Sequence, residues 1–147
     1  PDTTPPDPTA VFYPSTHQLE MYRLELATGY LITMKKEHIG TESVSAENYK
    51  YLHKIGIKDA DNVIEGIFRK DPRRAFIAYK YLIDMEENLR EVYRVLRKKS
   101  KYVIVVGNNK IRGFNFENWK YLISLAERIG FKVNFYLGSE KKNHNIK

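Results

Sequence analysis

The segment Lys101–Asn109, KYVIVVGNN, constrains the fold of this 147-residue chain more than any other segment. It holds an uninterrupted run of five apolar residues, Tyr102–Val106, all of which are β-branched or aromatic, and Gly107 ends that run. A strand that is apolar on both faces must be covered on both faces, which is what a parallel α/β sheet provides. The sequence therefore predicts a buried central strand whose carboxyl end faces a ligand site.

Amphipathic helices are predicted on either side of this strand. Apolar residues spaced three and four apart predict a long helix over Ala75–Lys98, with Asp71 as N-cap and Pro72 as first helical residue. A second helix is predicted over Phe116–Ile129, and a strand of alternating apolar and polar residues over Phe131–Leu137. The order helix–strand–helix–strand predicts an α/β fold with a βαβ crossover.

A small helical insertion is predicted between residues 30 and 72. Ser45 is a suitable cap for a short helix over Ala46–Ile55, and Asp59 or Asp61 is a suitable cap for the helix after it. No internal repeat and no low-complexity tract interrupts the chain. We therefore expect residues 1–147 to form one domain or most of one.

Composition narrows the classes of function. The formal net charge of +7 favours polyanions as partners, nucleic acid first, although solubility alone also explains such an excess. The chain has no cysteine, which removes disulfides, zinc–thiolate sites and thiol nucleophiles and is compatible with the cytoplasm. No stretch approaches the length of a transmembrane helix, so we expect no membrane partner.

The common catalytic motifs are missing from the sequence. The four histidines are His17, His38, His53 and His144, and no two of them sit at a metal-binding spacing with a carboxylate partner. The sequence also lacks a nucleophile elbow, a phosphate loop and a metalloprotease motif. No hydrolase and no metal site are therefore predicted.

Two groups of basic residues are predicted to contact DNA phosphates. One lies at a helix junction and the other in the loop Gly107–Gly113, GNNKIRG, at the carboxyl end of the central strand. The groups consist of Arg69, Lys70, Arg73 and Arg74 at the junction, and of Lys110 and Arg112 in the loop. The alternatives are a solvated helix junction and an ordinary turn, and neither group implies base specificity.

Two stretches carry a family resemblance. The first is the paired-proline loop TTPPD, Thr3–Asp7, and the second is the run Asp84–Asn109, which contains LREVYRVLRKKSKYVIVVGNN. The loop resembles the Ser-Pro-Pro-Tyr or Asp-Pro-Pro-Tyr catalytic loop of DNA amino-methyltransferases. The second stretch resembles that superfamily's amphipathic helix followed by an apolar strand ending in Gly-Asn. The resemblance covers most of the chain, from Thr3 to about Ser139.

The resemblance implies a fold and a reaction. The fold would be a partial Rossmann-like methyltransferase sheet with helices on both faces. The cofactor would be S-adenosylmethionine, and the methyl acceptor would be N4 of cytosine or N6 of adenine in DNA. The family's glycine-rich cofactor motif is not found in this sequence, which implies that a missing segment or a separate chain supplies that site.

The chemistry of the family explains the proline loop. An exocyclic amine is a poor nucleophile because its lone pair is delocalised, and the base must first leave the duplex stack. By position, Thr4 and the Pro5 carbonyl would accept hydrogen bonds from that amine, and Pro6 would stiffen the loop. Asp7 stands where the family has an aromatic residue that stacks on the base. The candidates for that stacking role are Phe12 and Tyr13.

Two other classes of function remain open. One is a non-catalytic relic of the fold that binds nucleic acid or a protein partner, which Asp7 and the missing glycine loop favour. The other is a class I methyltransferase that acts on RNA or a small molecule. The DNA methyltransferase hypothesis makes a structural prediction: Thr3–Asp7 should lie at the carboxyl end of a strand next to Lys101–Asn109, beside Gly107.

Overall fold

A computed structural model of the chain describes Asp2–Thr3 and residues 38–134, which form a mixed α/β structure. The helices in this part of the chain are a 3₁₀-helix (Ala46–Tyr49), α1 (Lys58–Phe68), α2 (Pro72–Val95) and α3 (Asn118–Ile129). The strands in it are β1 (Asp2–Thr3), β2 (Val103–Ile104), β3 (Asn109–Ile111) and β4 (Phe114–Phe116).

The long helix α2 forms the centre of the described structure. The Asp71 carboxylate accepts a hydrogen bond from the Arg74 backbone N–H at 3.0 Å, and Pro72 occupies the first turn, so the predicted helix start is confirmed. Both other α-helices pack against α2. Its buried side chains recur at helical spacing, and they are Ala75, Ile77, Ala78, Tyr81, Leu82, Met85 and Leu89.

The helices α1 and α3 each bury one stripe against this centre. The stripe of α1 consists of Ala60, Ile64 and Ile67, and that of α3 includes Tyr121, Leu122 and Leu125. Each fully buried leucine or isoleucine contributes about 1.5–3 kcal/mol relative to an exposed one. The helix predicted over Phe116–Ile129 is confirmed, although it begins at Asn118.

The short helix predicted over Ala46–Ile55 is wrong beyond its first turn. Only Ala46–Tyr49 is helical, as a 3₁₀-turn, and Ser45 makes no side-chain capping bond. The Asp61 carboxylate explains the difference, because it accepts hydrogen bonds from the backbone N–H groups of Ile55 at 2.7 Å and Gly56 at 3.1 Å. These bonds hold the incoming chain in a non-helical path, and α1 begins directly after it.

The strand β2 pairs with β1 in parallel, with Asp2 opposite Val103 and Thr3 opposite Ile104. The predicted burial of this run on both faces is wrong for the described residues. Tyr102, Ile104 and Val106 pack against the core, whereas Val103 and Val105 are 49% and 56% exposed. The reason is that the described helices cover only one face of the strand.

The loop Gly107–Gly113, predicted as a strand-to-helix turn, instead contains the first strand and the turn of a β-hairpin. Strand β3 pairs antiparallel with β4, and Ile111 lies opposite Phe114. The two residues between them, Arg112 and Gly113, have φ angles of 51° and 94°. Positive φ at both central positions defines a type I′ turn, whose twist matches that of paired strands.

The strand predicted over Phe131–Leu137 is wrong where the structure describes it. Residues 131–134 are not in a strand, and Gly130, with a φ of 115°, ends α3 just before them. The Phe131 ring packs edge-on against Tyr93, with ring centroids 5.0 Å apart, and this contact holds the segment on α2 instead of in a sheet. The rest of the predicted strand lies outside the described residues, so the predicted crossover into it is not found in residues 38–134.

A close approach between α1 and the hairpin generates a test of this packing. A Cβ at Gly66 would lie 2.5 Å from Cε1 of Phe114, which is inside van der Waals contact. Gly66→Ala should therefore lower the free energy of unfolding by about 1–3 kcal/mol, although alanine normally favours a helix by about 1 kcal/mol. Urea unfolding followed by circular dichroism measures the change.

Two further variants make this test specific. In a Phe114→Ala background the clash is gone, and Gly66→Ala should become neutral or stabilising by up to about 1 kcal/mol. Asn62→Ala, at an exposed position of the same helix, should change stability by less than about 0.5 kcal/mol. An equal loss from Gly66→Ala in both backgrounds would show that the α1–hairpin contact is not as described.

Candidate nucleic-acid interface

The two predicted groups of basic residues meet at one place in the fold. The Arg112 guanidinium lies against the Asp71 carboxylate, with Nε 2.8 Å and Nη2 2.7 Å from Oδ2. Lys70 Nζ donates to the Arg112 carbonyl at 3.4 Å and lies 4.8 Å from the centroid of the Phe114 ring. The hairpin turn is thus docked on the junction between α1 and α2 by opposite charges and a cation–π contact.

Two arginines of the first turn of α2 hold the preceding loop. Arg73 Nη2 donates to the Glu42 carbonyl at 2.8 Å, and Arg74 forms an ion pair with the Glu42 carboxylate. Thr41, just before Glu42, is buried, and its hydroxyl accepts a hydrogen bond from the Ser43 N–H at 3.1 Å. The loop and the junction therefore form one continuous surface with the hairpin turn.

We define the basic surface as five of the six predicted cations: Arg69, Lys70, Arg73, Arg74 and Arg112. Three carboxylates, those of Glu42, Glu65 and Asp71, pair with members of it, so two positive charges remain in excess. Each guanidinium has five donors, and an exposed pair with one carboxylate leaves donors free for a second oxyanion. The surface can therefore hold phosphate groups while keeping its internal pairs.

The sixth predicted cation, Lys110, is separate from the basic surface. It lies on β3 opposite Asn115 and is exposed, whereas its neighbour Ile111 is buried. Within residues 38–134, no ion pair or side-chain hydrogen bond joins Lys110 to the other five. The structure thus brings five of the six residues together and leaves Lys110 on the solvent face of the hairpin.

The carboxyl end of β2 is tied to α3 by a residue that the sequence analysis missed. Asn118, the first residue of α3, is fully buried and donates from Nδ2 to the Gly107 carbonyl at 2.7 Å. Its Oδ1 has no hydrogen-bond partner in the described part of the chain. An asparagine at a helix start usually signals a cap, so nothing in the sequence distinguished this bond to the strand.

The described residues do not fit S-adenosylmethionine. After β2 the chain enters the hairpin, and only Glu117 separates β4 from α3. A cofactor site of the Rossmann type needs a glycine-rich turn from a strand into a helix, with open backbone N–H groups. The carboxylate of Glu117 stands at that turn instead, and the chain around it has no paired glycines.

The predicted catalytic loop lies outside the described residues. The predicted catalytic residues are Thr4, Pro5, Pro6 and Asp7, and they lie outside the described part of the chain together with the stacking candidates Phe12 and Tyr13. The strand β1 ends at Thr3, the residue directly before Thr4 in the sequence.

The described residues contain no candidate metal site and no candidate membrane-spanning helix. In residues 38–134 no group of three or more histidine, cysteine, aspartate or glutamate side chains is placed to hold a metal ion. The helices of the same part of the chain all fall short of the length and apolarity needed to cross a bilayer.

Comparisons with known proteins give no match. No family model, no curated protein and no solved structure matches the chain. Any function must therefore be argued from the residues themselves.

The Asp71–Arg112 contact predicts a pH dependence of stability. Partial burial raises the pKa of Asp71, but the Arg74 N–H and the Arg112 guanidinium lower it more, and the net pKa is below the usual value. A lowered carboxyl pKa stabilises the fold above the unfolded-state pKa of about 4, and this contribution is lost as pH falls through the folded-state pKa. Stability should therefore decrease below about pH 4.

Substitutions at Asp71 separate its charge from its capping role. Asp71→Asn keeps a capping oxygen and should cost at most about 1 kcal/mol at pH 7, while Asp71→Ala should cost about 1–2 kcal/mol. Urea unfolding at pH 7 and pH 3 should show a smaller acid loss for Asp71→Asn than for the unsubstituted chain. Glu87→Gln, an exposed control on α2, should keep the full acid loss. An unchanged acid loss in Asp71→Asn would contradict the assignment.

Proposed function

We propose that the chain is the catalytic-loop part of an S-adenosylmethionine-dependent DNA amino-methyltransferase with a Rossmann-like fold. It would transfer a methyl group to N4 of cytosine or N6 of adenine in a base flipped out of the duplex. The mixed α/β architecture is compatible with such a fold, and the resemblance of Thr3–Asp7 and Asp84–Asn109 supplies the reaction.

The parallel pairing of β1 with β2 is the observation that carries this proposal. Thr3 lies opposite Ile104, and the two strands run in the same direction. Parallel neighbours leave a sheet at the same edge, where ligands of α/β folds bind. The sequence after Thr3 is the proline loop, and the sequence after Ile104 leads to Gly107. This pairing supports a catalytic loop beside Gly107, as the hypothesis requires.

The roles of the loop residues follow from the chemistry of the amine. The Thr4 hydroxyl and the Pro5 carbonyl accept hydrogen bonds from the two N–H groups of the amine and so direct the nitrogen lone pair. Pro6 limits the motion of the loop. Phe12 or Tyr13 stacks on the base in place of the aromatic residue that Asp7 replaces. The methyl donor binds outside the described residues, in a missing segment or a separate chain.

The basic surface supports DNA as the substrate. It lies at the junction between α1 and α2 and includes the turn of the hairpin that follows β2 in the sequence. Its excess positive charge favours a polyanionic substrate. Lysine and arginine contacts to phosphate would position the duplex without specifying its sequence.

A second candidate function is nucleic-acid binding without catalysis. The turn at Glu117, which does not fit the cofactor, favours this candidate, as does Asp7 at the aromatic position. The basic surface is compatible with it as well.

Two measurements test the proposal. Calorimetric titration with S-adenosylmethionine should show binding near micromolar affinity if the whole chain completes the donor site. Transfer of a radiolabelled methyl group to DNA should then be measurable. Absence of both for this chain alone is expected if a missing segment or a separate chain supplies the donor site. Absence of transfer also in the full-length protein would contradict the proposal and leave the second candidate. Transfer to RNA but not to DNA would identify the class I alternative.

Variants of Thr4 connect the activity to the loop. Thr4→Ala should lower kcat by roughly 10²–10³-fold, as loss of one positioned hydrogen-bonding group does in other enzymes, with a smaller effect on KM. Thr4→Ser keeps the hydroxyl and should retain most of the activity. Thr9→Ala, outside the loop, serves as the control. Full activity in Thr4→Ala would rule out the assigned role.

A further inference from the structure

A cluster of aromatic rings lies where the predicted insertion meets α2, a place at which the sequence predicted no site. We call the rings of Tyr51, His53, Phe76 and Tyr79 the aromatic surface, because all four border one shallow crevice. The His53 ring stacks on Tyr79, with centroids 4.9 Å apart and planes at 25°. It also meets the Phe76 ring edge-on, with centroids 5.2 Å apart.

Three of the four rings, those of His53, Phe76 and Tyr79, are held in place by contacts within the fold. His53 Nε2 lies 2.8 Å from the Asn48 carbonyl, and because a carbonyl only accepts, Nε2 donates and the ring orientation is fixed. Phe76 and Tyr79 project from α2, which is anchored in the core. Tyr51 is 74% exposed, the highest value among the exposed large hydrophobic side chains of the described residues. A flat partner that covers the Tyr51 ring would remove apolar area from water.

Basic residues flank these rings in both parts of the chain that carry them, the segment before α1 and the helix α2. Lys50 and Lys54 lie on either side of Tyr51 and His53 in the sequence, and Arg73 and Lys80 lie three residues before and four after Phe76 on α2. Only two of these four cations form an ion pair with a neighbouring carboxylate. Lys50 pairs with Glu47 and Lys80 with Asp84.

Two positive charges beside the rings have no carboxylate of their own. Arg73 donates to the uncharged carbonyl of Glu42, whose carboxylate pairs with Arg74. Lys54 is exposed and forms no ion pair within residues 38–134. One exposed ring beside three half-buried ones, bordered by uncompensated cations, matches a ligand that offers flat aromatic faces and a polyanionic backbone.

We propose that the aromatic surface binds an unpaired nucleic-acid strand, with one base stacked on Tyr51 and the adjoining phosphates near Lys54 and Arg73. A fully paired duplex hides its base faces and would not use Tyr51 in this way. The inference concerns binding alone. It stands if methyl transfer fails, and its test contains no S-adenosylmethionine.

The test is fluorescence anisotropy with a labelled single-stranded oligothymidine at low salt. Loss of one stacking ring costs about 1–3 kcal/mol in such complexes, so Tyr51→Ala should bind roughly 5- to 150-fold more weakly. Tyr51→Phe keeps the ring and should stay within about twofold of the unsubstituted chain. Tyr51 is mostly exposed, so both variants should fold, and circular dichroism checks this.

Matched controls separate stacking from charge. Tyr93→Ala removes another exposed tyrosine of the described residues, at the far end of α2, and should leave the affinity unchanged. Lys54→Gln should reduce the slope of log affinity against log salt by about 0.7, whereas Tyr51→Ala should leave that slope unchanged. A labelled oligouridine in parallel shows whether the strand is DNA or RNA, and Tyr51-dependent binding of either supports the proposal.

Three results would overturn the inference. The first is affinity of Tyr51→Ala equal to that of the unsubstituted chain. The second is an equal loss of affinity in Tyr51→Phe and Tyr51→Ala, since the phenylalanine ring would still stack on a base. The third is absence of binding to both oligonucleotides by the folded chain at low salt.

Discussion

The packing of α2 between α1 and α3 is the interaction on which the rest of the described structure depends. Ala75 and Ala78 are buried in α2, and their small side chains allow close approach of its neighbours. Arg128 of α3 adds a polar bridge, because it donates to the Ile55 carbonyl at 3.0 Å and to the Glu86 carboxylate at 2.7 Å. Strands of two or three residues are marginal alone, so both strand pairs rely on this helical support.

The helices could be predicted from the sequence because their signals are local. Spacing of three and four and the Asp71-Pro72 start are each contained within one segment. The strands could not be predicted in this way. The run Tyr102–Val106 is apolar on both faces, and nothing in it reveals that Val103 and Val105 are exposed. The hairpin was missed because its turn is Arg112-Gly113 instead of the usual Asn-Gly or Asp-Gly.

The candidate site was partly predictable for a similar reason. Charge density in the sequence identified the basic residues, but not their partners, since Arg112 and Asp71 are 41 positions apart. Sequence patterns also did not predict two other contacts between separate segments, the hydrogen bond from Asn118 to Gly107 and the stacking of His53 on Tyr79. Sequence patterns thus located the charges, whereas only tertiary packing shows which of them form one surface with the hairpin turn.

The central claim of this account is that β1 and β2 are parallel neighbours, because the place of the catalytic loop depends on it. Nuclear Overhauser spectroscopy on the isotope-labelled chain measures this pairing directly. We predict cross-strand contacts between the backbone protons of Thr3 and those around Ile104, in the pattern of parallel strands. Absence of these contacts, or an antiparallel pattern, would contradict the account and remove the structural support for a methyltransferase.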